Sequence, residues 1–154
     1  GVQAVPLLTL DEVAVLPAGH ALAAQAVLQV QDFANQPFVS LSADDPYRRQ
    51  IDARCAEAGV ARQLHLQTHS AVAVCAMVQQ GLGLAIVNPL TALAMAGSGL
   101  VVRRLGFSVP FSINALLPLY RPALPEAQPL LQSLEAQAQE VTAALQRLLS
   151  QPAN

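Results

Sequence analysis

The sequence carries little charge, and this scarcity argues against nucleic-acid binding by the chain itself. Charged residues make up 12% of its 154 positions, and the net charge is −2. No basic cluster exceeds two residues, as in Arg48–Arg49 and Arg103–Arg104. DNA- and RNA-binding surfaces need many Lys or Arg contacts to phosphate. No such surface is therefore predicted here.

The sequence also lacks the marks of an exported, membrane-bound or metal-dependent protein. Cys55 and Cys75 are too few for a disulfide framework, and both fall at apolar helix positions where buried free thiols are expected. No apolar run approaches the roughly 18 residues of a membrane span, and no signal peptide opens the chain. No histidine or cysteine lies at metal-ligand spacing from His69, and the G-x-S-x-G signature is missing. We expect a cytoplasmic protein that is not an enzyme, with no metal, cofactor or membrane contact.

Apolar residues are abundant, at 53% of the chain, and in one segment their arrangement indicates secondary structure. A strand over Leu64–Thr68 is followed by a helix that starts near Ser70, and a second strand covers Leu84–Val87. The run Ala71–Val78 contains eight apolar residues, so this helix is expected to be buried on most sides. A strand, an apolar helix and a short apolar strand in succession indicate a parallel sheet in an α/β domain. We expect two layers.

Similar elements are predicted on both sides of this unit. Ser42 and Asp45 have the spacing of a capping box, and Pro46 suits the first turn of a helix that Gly59 ends. The other predicted elements are strands over Thr9–Leu16, Pro37–Leu41, Leu100–Arg103 and Phe111–Leu119, a helical turn over Val30–Ala34 and a short helix from Asn88.

The last predicted helix has an apolar stripe that requires a partner surface. This partner is either another part of the protein or a second copy of the chain in a coiled coil. The stripe consists of Leu131, Leu134, Ala138, Val141, Leu145 and Leu148.

Two strand-to-helix junctions contain the polar residues best suited to bind a ligand. Backbone N–H groups at a helix start favour anionic groups, and nearby hydroxyl groups add donors. From the residues alone, helix capping and structural hydrogen bonding are the simpler interpretation. The candidates are Ser40, Ser42 and Asp44 at the first junction and Thr68, His69 and Ser70 at the second.

Several segments together resemble the effector-binding domain of LysR-type transcriptional regulators. Val78–Val87 has the family pattern V-x-x-G-x-G followed by hydrophobic residues, and Asp11–Ala23 (DEVAVLPAGHALA) resembles the strand and turn that enter the second subdomain. Gln31–Asp52 resembles the effector-facing turn, and Asn88–Pro122 resembles the segment that leaves the second subdomain. The resemblance covers nearly the whole chain.

This resemblance implies an α/β fold of the type 2 periplasmic-binding-protein kind, mainly its second subdomain. Residues 1–8 would end the first subdomain or form a crossover, 9–110 the second subdomain, 111–122 the returning crossover strand, and 123–154 a C-terminal helix packing on the first subdomain. The chain would be a fragment lacking the N-terminal helix-turn-helix, through which alone the regulator binds DNA. The full-length regulator would be a homo-oligomer, a dimer or tetramer.

The resemblance also implies that the domain senses a small molecule bound between two subdomains. Three segments, THSAVAVCAMV, VNPLTAL and SGLVVRR, are most similar to the family's activator of diaminopimelate decarboxylase in lysine biosynthesis. Diaminopimelate, an amino-acid-like molecule, is therefore the leading effector, and Asp44 is suited to pair with one of its ammonium groups. The resemblance implies that the turn of Ser40, Ser42 and Asp44 faces the effector cleft, whereas Thr68, His69 and Ser70 are candidates because they lie at a second helix start. Two alternatives are a pure oligomerisation module and a solute-binding protein of similar fold.

Overall fold

The computed structural model describes residues 1–122 and 124–152, which form a mixed α/β fold. Ala21–Ala24 and Val30–Phe33 are short 3₁₀ turns. The strands and helices are β1 (Val2–Asp11), β2 (Val13–Pro17), β3 (Val27–Leu28), β4 (Pro37–Leu41), α1 (Pro46–Glu57), β5 (Gln63–Thr68), α2 (Ala71–Gln79), β6 (Ala85–Val87), α3 (Pro89–Met95), β7 (Leu100–Leu105), β8 (Pro110–Pro118) and α4 (Ala127–Leu149). Most predicted elements are confirmed to within two residues.

Six of these strands combine into one mixed sheet. Strand β2 pairs antiparallel with both β6 and β7, β3 is parallel to β7, and β4 is parallel to β5. A parallel bridge between Phe38 and Leu84 joins β4 to the start of β6. In this bridge the Val39 amide donates to the Leu84 carbonyl at 2.8 Å. The resulting order is β3-β7-β2-β6-β4-β5, which confirms the predicted parallel unit.

Helices cover both faces of this sheet, so the expectation of two layers is wrong. Ile51 and Cys55 of α1 pack on one face, against Phe38 and Ile86. Helices α2 and α3 pack on the other face. The crossover from β4 to β5 runs outward to the sheet edge, whereas the crossover from β5 to β6 runs back across β4. Since such crossovers are right-handed, their helices lie on opposite faces.

Helix α2 is buried on one side only, which corrects the prediction that it is buried on most sides. Val74, Cys75 and Val78 are buried against the sheet. Val72 is 57% exposed, and Ala76 is exposed as well. The helix is nine residues long and lies on the surface of the sheet, so its outer side has no covering element among the described residues.

The single strand predicted over Thr9–Leu16 is also wrong, because the chain changes partners at Glu12. Before that residue β1 pairs antiparallel with β8, from Val2 opposite Pro118 to Asp11 opposite Pro110. After it β2 enters the main sheet, and the Glu12 amide donates to the Val109 carbonyl at 2.9 Å. The two strands of this β1–β8 ribbon leave the sheet side by side, as crossover strands do. The predicted subdomain boundaries stay a prediction.

Helix α4 packs against β1, α3 and β7. Leu131 and Leu145 of its apolar stripe are buried, whereas Leu134 is 40% exposed. The stripe is therefore only partly covered by the described residues. Packing of this helix on a first subdomain stays a prediction, and positions 123, 153 and 154 of the predicted C-terminal segment lie outside the described residues.

Candidate functional site

The two predicted junctions meet at one edge of the sheet. Because β4 and β5 are parallel, with Leu41 opposite Thr68, both strands end at this edge and both turns begin there. The Ser42 Oγ and His69 Nδ1 atoms share a hydrogen bond of 2.8 Å, although the two residues are 27 positions apart in the sequence. The topology thus brings residues of both turns into direct contact.

The β4–α1 turn is shaped by Asp45. Its carboxylate accepts from the amides of Tyr47 at 2.8 Å and Arg48 at 3.0 Å, and Pro46 follows at the first helical position. The predicted capping box with Ser42 is wrong, because Asp45 itself is the N-cap residue. The side chain of Ser42 is therefore not used by helix α1 and is available to the neighbouring turn.

Asp44 lies in the same turn and is exposed. A hydrogen bond from the Ser42 side chain, the Asp44 backbone and the charges of His69 and Arg49 hold the pKa of this carboxyl below its ordinary value. Which of Ser42 Oγ and His69 Nδ1 donates in their hydrogen bond depends on the histidine tautomer. Asp44 is thus a charged acceptor at the outer end of a chain of three polar groups.

The β5–α2 turn uses its hydroxyl groups differently. Ser70 caps α2, since its Oγ accepts from the Ala73 amide at 3.2 Å. The Thr68 Oγ1 accepts from the Ser70 amide at 3.4 Å, a long hydrogen bond. Both residues flank His69 at the sheet edge. Ser40 differs from the other five candidates: it is opposite Gln67 within the sheet and only 3% exposed.

Glu12, which was not predicted as a site residue, lies at the same edge. Val13 pairs antiparallel with Val87, so β2 begins at the edge where β6 and its parallel neighbours end. Glu12 is 2% exposed, and its Oε2 atom has no hydrogen-bond partner among the described residues. Burial, together with the nearby charge of Asp45, raises its pKa from 4.5 to about 8. A carboxyl directly before the four buried residues of β2 was the available signal.

Tyr47 connects the β4–α1 turn to the returning strand β8. Its ring lies 5.7 Å from the ring of Phe111, measured between centroids. Burial raises its pKa, as do the charges of Glu12 and Asp45, whereas a hydrogen bond with the Ser112 backbone lowers it. The turn, the buried glutamate and the β1–β8 ribbon therefore meet in one place.

The contact between Ser42 and His69 does not make a catalytic triad. In a triad a third group orients the histidine, whereas here Asp44 contacts the serine. Within residues 1–122 and 124–152, no three His, Cys, Asp or Glu side chains are grouped to hold a metal ion. None of the helices in that part of the chain is long and apolar enough to span a membrane.

Comparison with known proteins gives the family. Residues 1–139 match the LysR substrate binding domain. Over 150 residues the chain is 45% identical to the transcriptional activator protein LysR of Escherichia coli (strain K12), covering 97% of this chain and 48% of that protein. The chain thus spans about half the length of this relative.

Solved structures of similar fold include two with a bound small molecule. The regulatory domain of Synechocystis PCC6803 CcmR in complex with 2-PG has a TM-score of 0.73 at 16% identity, covering 89% of this chain and 67% of that one. The effector-binding domain of QuiR in complex with shikimate has a TM-score of 0.68 at 18% identity, covering 90% and 66%. The predicted periplasmic-binding-protein-like fold is confirmed, and the chain belongs to the LysR-type transcriptional regulators, within their effector-binding domain.

Proposed function

We propose that this chain senses a small amino-acid-like effector, with meso-diaminopimelate as the candidate, and thereby controls transcription of a lysine-biosynthesis gene. The observation that carries the proposal is the hydrogen-bonded group of Ser42, His69 and Asp44 at the sheet edge. The 45% identity to a transcriptional activator supports the same class of function.

The chemistry of the two turns suits a ligand that has both ammonium and carboxylate groups. The charged Asp44 carboxylate would pair with an ammonium group through a charge-assisted hydrogen bond. His69, Thr68 and the amide groups at the start of α2 would donate to a carboxylate. Ser40 and Ser70 would act indirectly: Ser40 would fix strand β4, and Ser70 would fix the cap of helix α2. A ligand with two amino acid ends matches this pattern of opposite charges.

The effector would act by shifting a population of subdomain arrangements. A ligand that contacts both subdomains binds one arrangement better than the other, and this difference in affinity is the signal. The β1–β8 ribbon is the expected hinge. DNA binding would belong to a helix-turn-helix outside this chain, in a cytoplasmic homo-oligomer, and the chain itself would catalyse no reaction.

Isothermal titration of meso-diaminopimelate into the full-length regulator and into this chain tests the proposal. The Ser42→Ala variant is expected to lose at least about tenfold in affinity, because the Ser42 hydroxyl would contact the effector and a hydrogen bond to a charged group contributes about 1.5–3 kcal/mol. Ser133→Ala is the matched control, since Ser133 is an exposed serine on α4. DNA binding of the full-length Ser42→Ala variant should be retained.

Each result tests either the proposed site or the proposed effector. Loss of affinity in Ser42→Ala alone supports the site, and binding by this chain without the rest of the regulator would locate its main determinants here. Equal affinity of Ser42→Ala and wild type would reject the site, and absence of binding to the full-length regulator would reject this effector.

An oligomerisation module remains the second candidate, because the α4 stripe is partly uncovered. Leu134 is 40% exposed and Val141 is half-buried on the same side of the helix. If the stripe joins copies of this chain, the Leu134→Glu and Val141→Glu double variant should be monomeric or insoluble. An unchanged solution mass and solubility would exclude this contact.

A further inference from the structure

Glu12 is a buried carboxyl that the proposed effector contacts do not use. It occupies the corner between β1 and β2, and its amide is bound to the Val109 carbonyl at the start of the returning segment. Its side chain is 2% exposed, and Oε2 has no hydrogen-bond partner among the described residues. Buried carboxyl oxygens without a partner are costly, so such a group calls for an explanation.

Among the described residues, no Arg or His side chain forms an ion pair with Glu12. The charge of Asp45, the N-cap residue of α1, raises the pKa of Glu12 further. Asp11 is exposed and accepts a hydrogen bond from Ser108 at 2.6 Å, and Arg104 is exposed at the rim of the adjacent recess. The titratable and charged groups near Glu12 are Asp45 and Tyr47 on α1, Asp11 on β1 and Arg104 on β7.

Asp45 makes this arrangement relevant to the effector. Its carboxylate holds the first amides of α1 and so fixes the turn that carries Ser42 and Asp44. Tyr47, one helical position after Pro46, packs on Phe111 of β8. A second negative charge at Glu12 would repel Asp45 across a poorly solvated space, where Coulomb interactions are stronger than in water.

We propose that Glu12, in its neutral form, is a positioning residue for the β4–α1 turn, and that its ionisation loosens this turn and weakens effector binding. The proposal rests on the function proposed above. With the proton present, Asp45 caps α1 without a second, buried carboxylate near it. Once the proton is lost, two carboxylates share the corner, and either Glu12 or the start of α1 must move toward water.

Amide hydrogen exchange of this chain tests the positioning role without any effector. The amides of Tyr47 and Arg48 report on the Asp45 cap, and the Ala73 amide, capped by Ser70, is the internal reference. Between about pH 7 and about pH 9, the first two should accelerate about tenfold more than the reference, as coupling of one pKa unit implies. Glu12→Gln should abolish this excess, whereas Asp11→Asn, the adjacent exposed carboxylate, should keep it.

Equal acceleration of all three amides in wild type, or the same excess in Glu12→Gln, would overturn the proposal. Calorimetric titration of meso-diaminopimelate over the same pH range supplies the second readout. We expect affinity to fall above about pH 8 in wild type and not in Glu12→Gln.

The two proposals fail in different ways. Absence of meso-diaminopimelate binding at any pH would reject the proposed effector, while the exchange experiment would still decide the role of Glu12. An affinity that rises with pH in wild type only would overturn the positioning role, because Glu12 would then be the counter-ion of an ammonium group.

Discussion

The two turns at the sheet edge are similar in topology and different in electrostatics. Both follow parallel strands and both begin helices with a capping side chain, Asp45 for α1 and Ser70 for α2. The β4–α1 turn lies over the buried carboxyl of Glu12 and is connected to β8 through Tyr47. The β5–α2 turn has no carboxylate and lies in solvent on the sheet edge.

This difference assigns separate roles to the two turns. The β5–α2 turn offers hydrogen-bond donors on a helix whose other side is exposed, so it can present a ligand contact without affecting the rest of the fold. The β4–α1 turn is connected to the β1–β8 ribbon by Tyr47 and by the Glu12 corner. We therefore expect ligand contacts at the first turn to influence the hinge, and contacts at the second to contribute mainly affinity.

Gly83→Ala should cause the largest loss of stability, because it disrupts the packing between β4 and the start of β6, on which both turns depend. A Cβ atom at Gly83 would lie 2.7 Å from the Pro37 carbonyl oxygen, at the start of β4. We expect a loss of about 3 kcal/mol or more in urea unfolding. Gly81→Ala is the control, since its Cβ meets no atom and only its φ of +79° opposes the substitution, at about 1–2 kcal/mol. Equal losses would contradict the close approach of β4 and β6.

Glu12→Gln should remove a pH dependence of stability that arises from the buried carboxyl near the β4–α1 turn. The folded pKa of Glu12 is about 8, and the ordinary value is 4.5. Folded protein then binds more protons than unfolded protein between these values, so the contribution of Glu12 to stability is complete below about pH 4.5 and falls as pH rises to about 8. The stability of Glu12→Gln relative to wild type should rise across this range by about 4 kcal/mol, since each pKa unit corresponds to about 1.4 kcal/mol. Parallel pH profiles of the two proteins would contradict a buried, neutral glutamate.

The two capping side chains should differ in how much they contribute to the free energy of unfolding. Asp45 accepts from two amides at 2.8 and 3.0 Å, whereas Ser70 accepts from one at 3.2 Å. We expect Asp45→Ala to cost about 1–2 kcal/mol and Ser70→Ala about 1 kcal/mol or less, both measured by urea unfolding at about pH 6. A larger loss in Ser70→Ala would reverse the comparison between the turns.

Tyr47→Phe should have a small effect on stability and a specific effect on the coupling to β8. The variant keeps the ring contact with Phe111 and removes only the hydrogen bond with the Ser112 backbone. We expect a loss of about 1 kcal/mol. Amide exchange in residues 111–114 should accelerate while that of the β5–α2 turn is unchanged. Uniform acceleration in both places would show that Tyr47 has only a general structural role.

The local elements of this fold were predictable, because each has a local chemical cause. Pro37–Leu41 was located from its apolar run, and the starts of two helices were located near Ser70 and at Asn88, where apolar residues follow. The third layer and the exposed side of α2 were not predictable in this way, since they depend on the order of strands in the sheet. Apolar content alone does not tell how many sides of a helix are covered.

The candidate site was only partly predictable for the same reason. Both turns were identified from hydroxyl and acidic residues before helices, but their contact through Ser42 and His69 follows from the pairing of β4 with β5. Glu12 was missed because a strand predicted over Thr9–Leu16 gave it no special position. Its importance arises from Asp45, 33 positions later, which comes near only in the folded chain.

A double-mutant cycle on effector affinity tests most directly whether the two turns form one site. The affinity of the full-length regulator for meso-diaminopimelate would be measured for Ser42→Ala, His69→Ala and the double variant, with Ser133→Ala in place of His69→Ala as the control pair. Because the two side chains share a 2.8 Å hydrogen bond, we predict that the double variant loses less than the sum of the single losses, with a coupling above about 0.5 kcal/mol. Additive losses, or no loss in either single variant, would contradict a shared effector site.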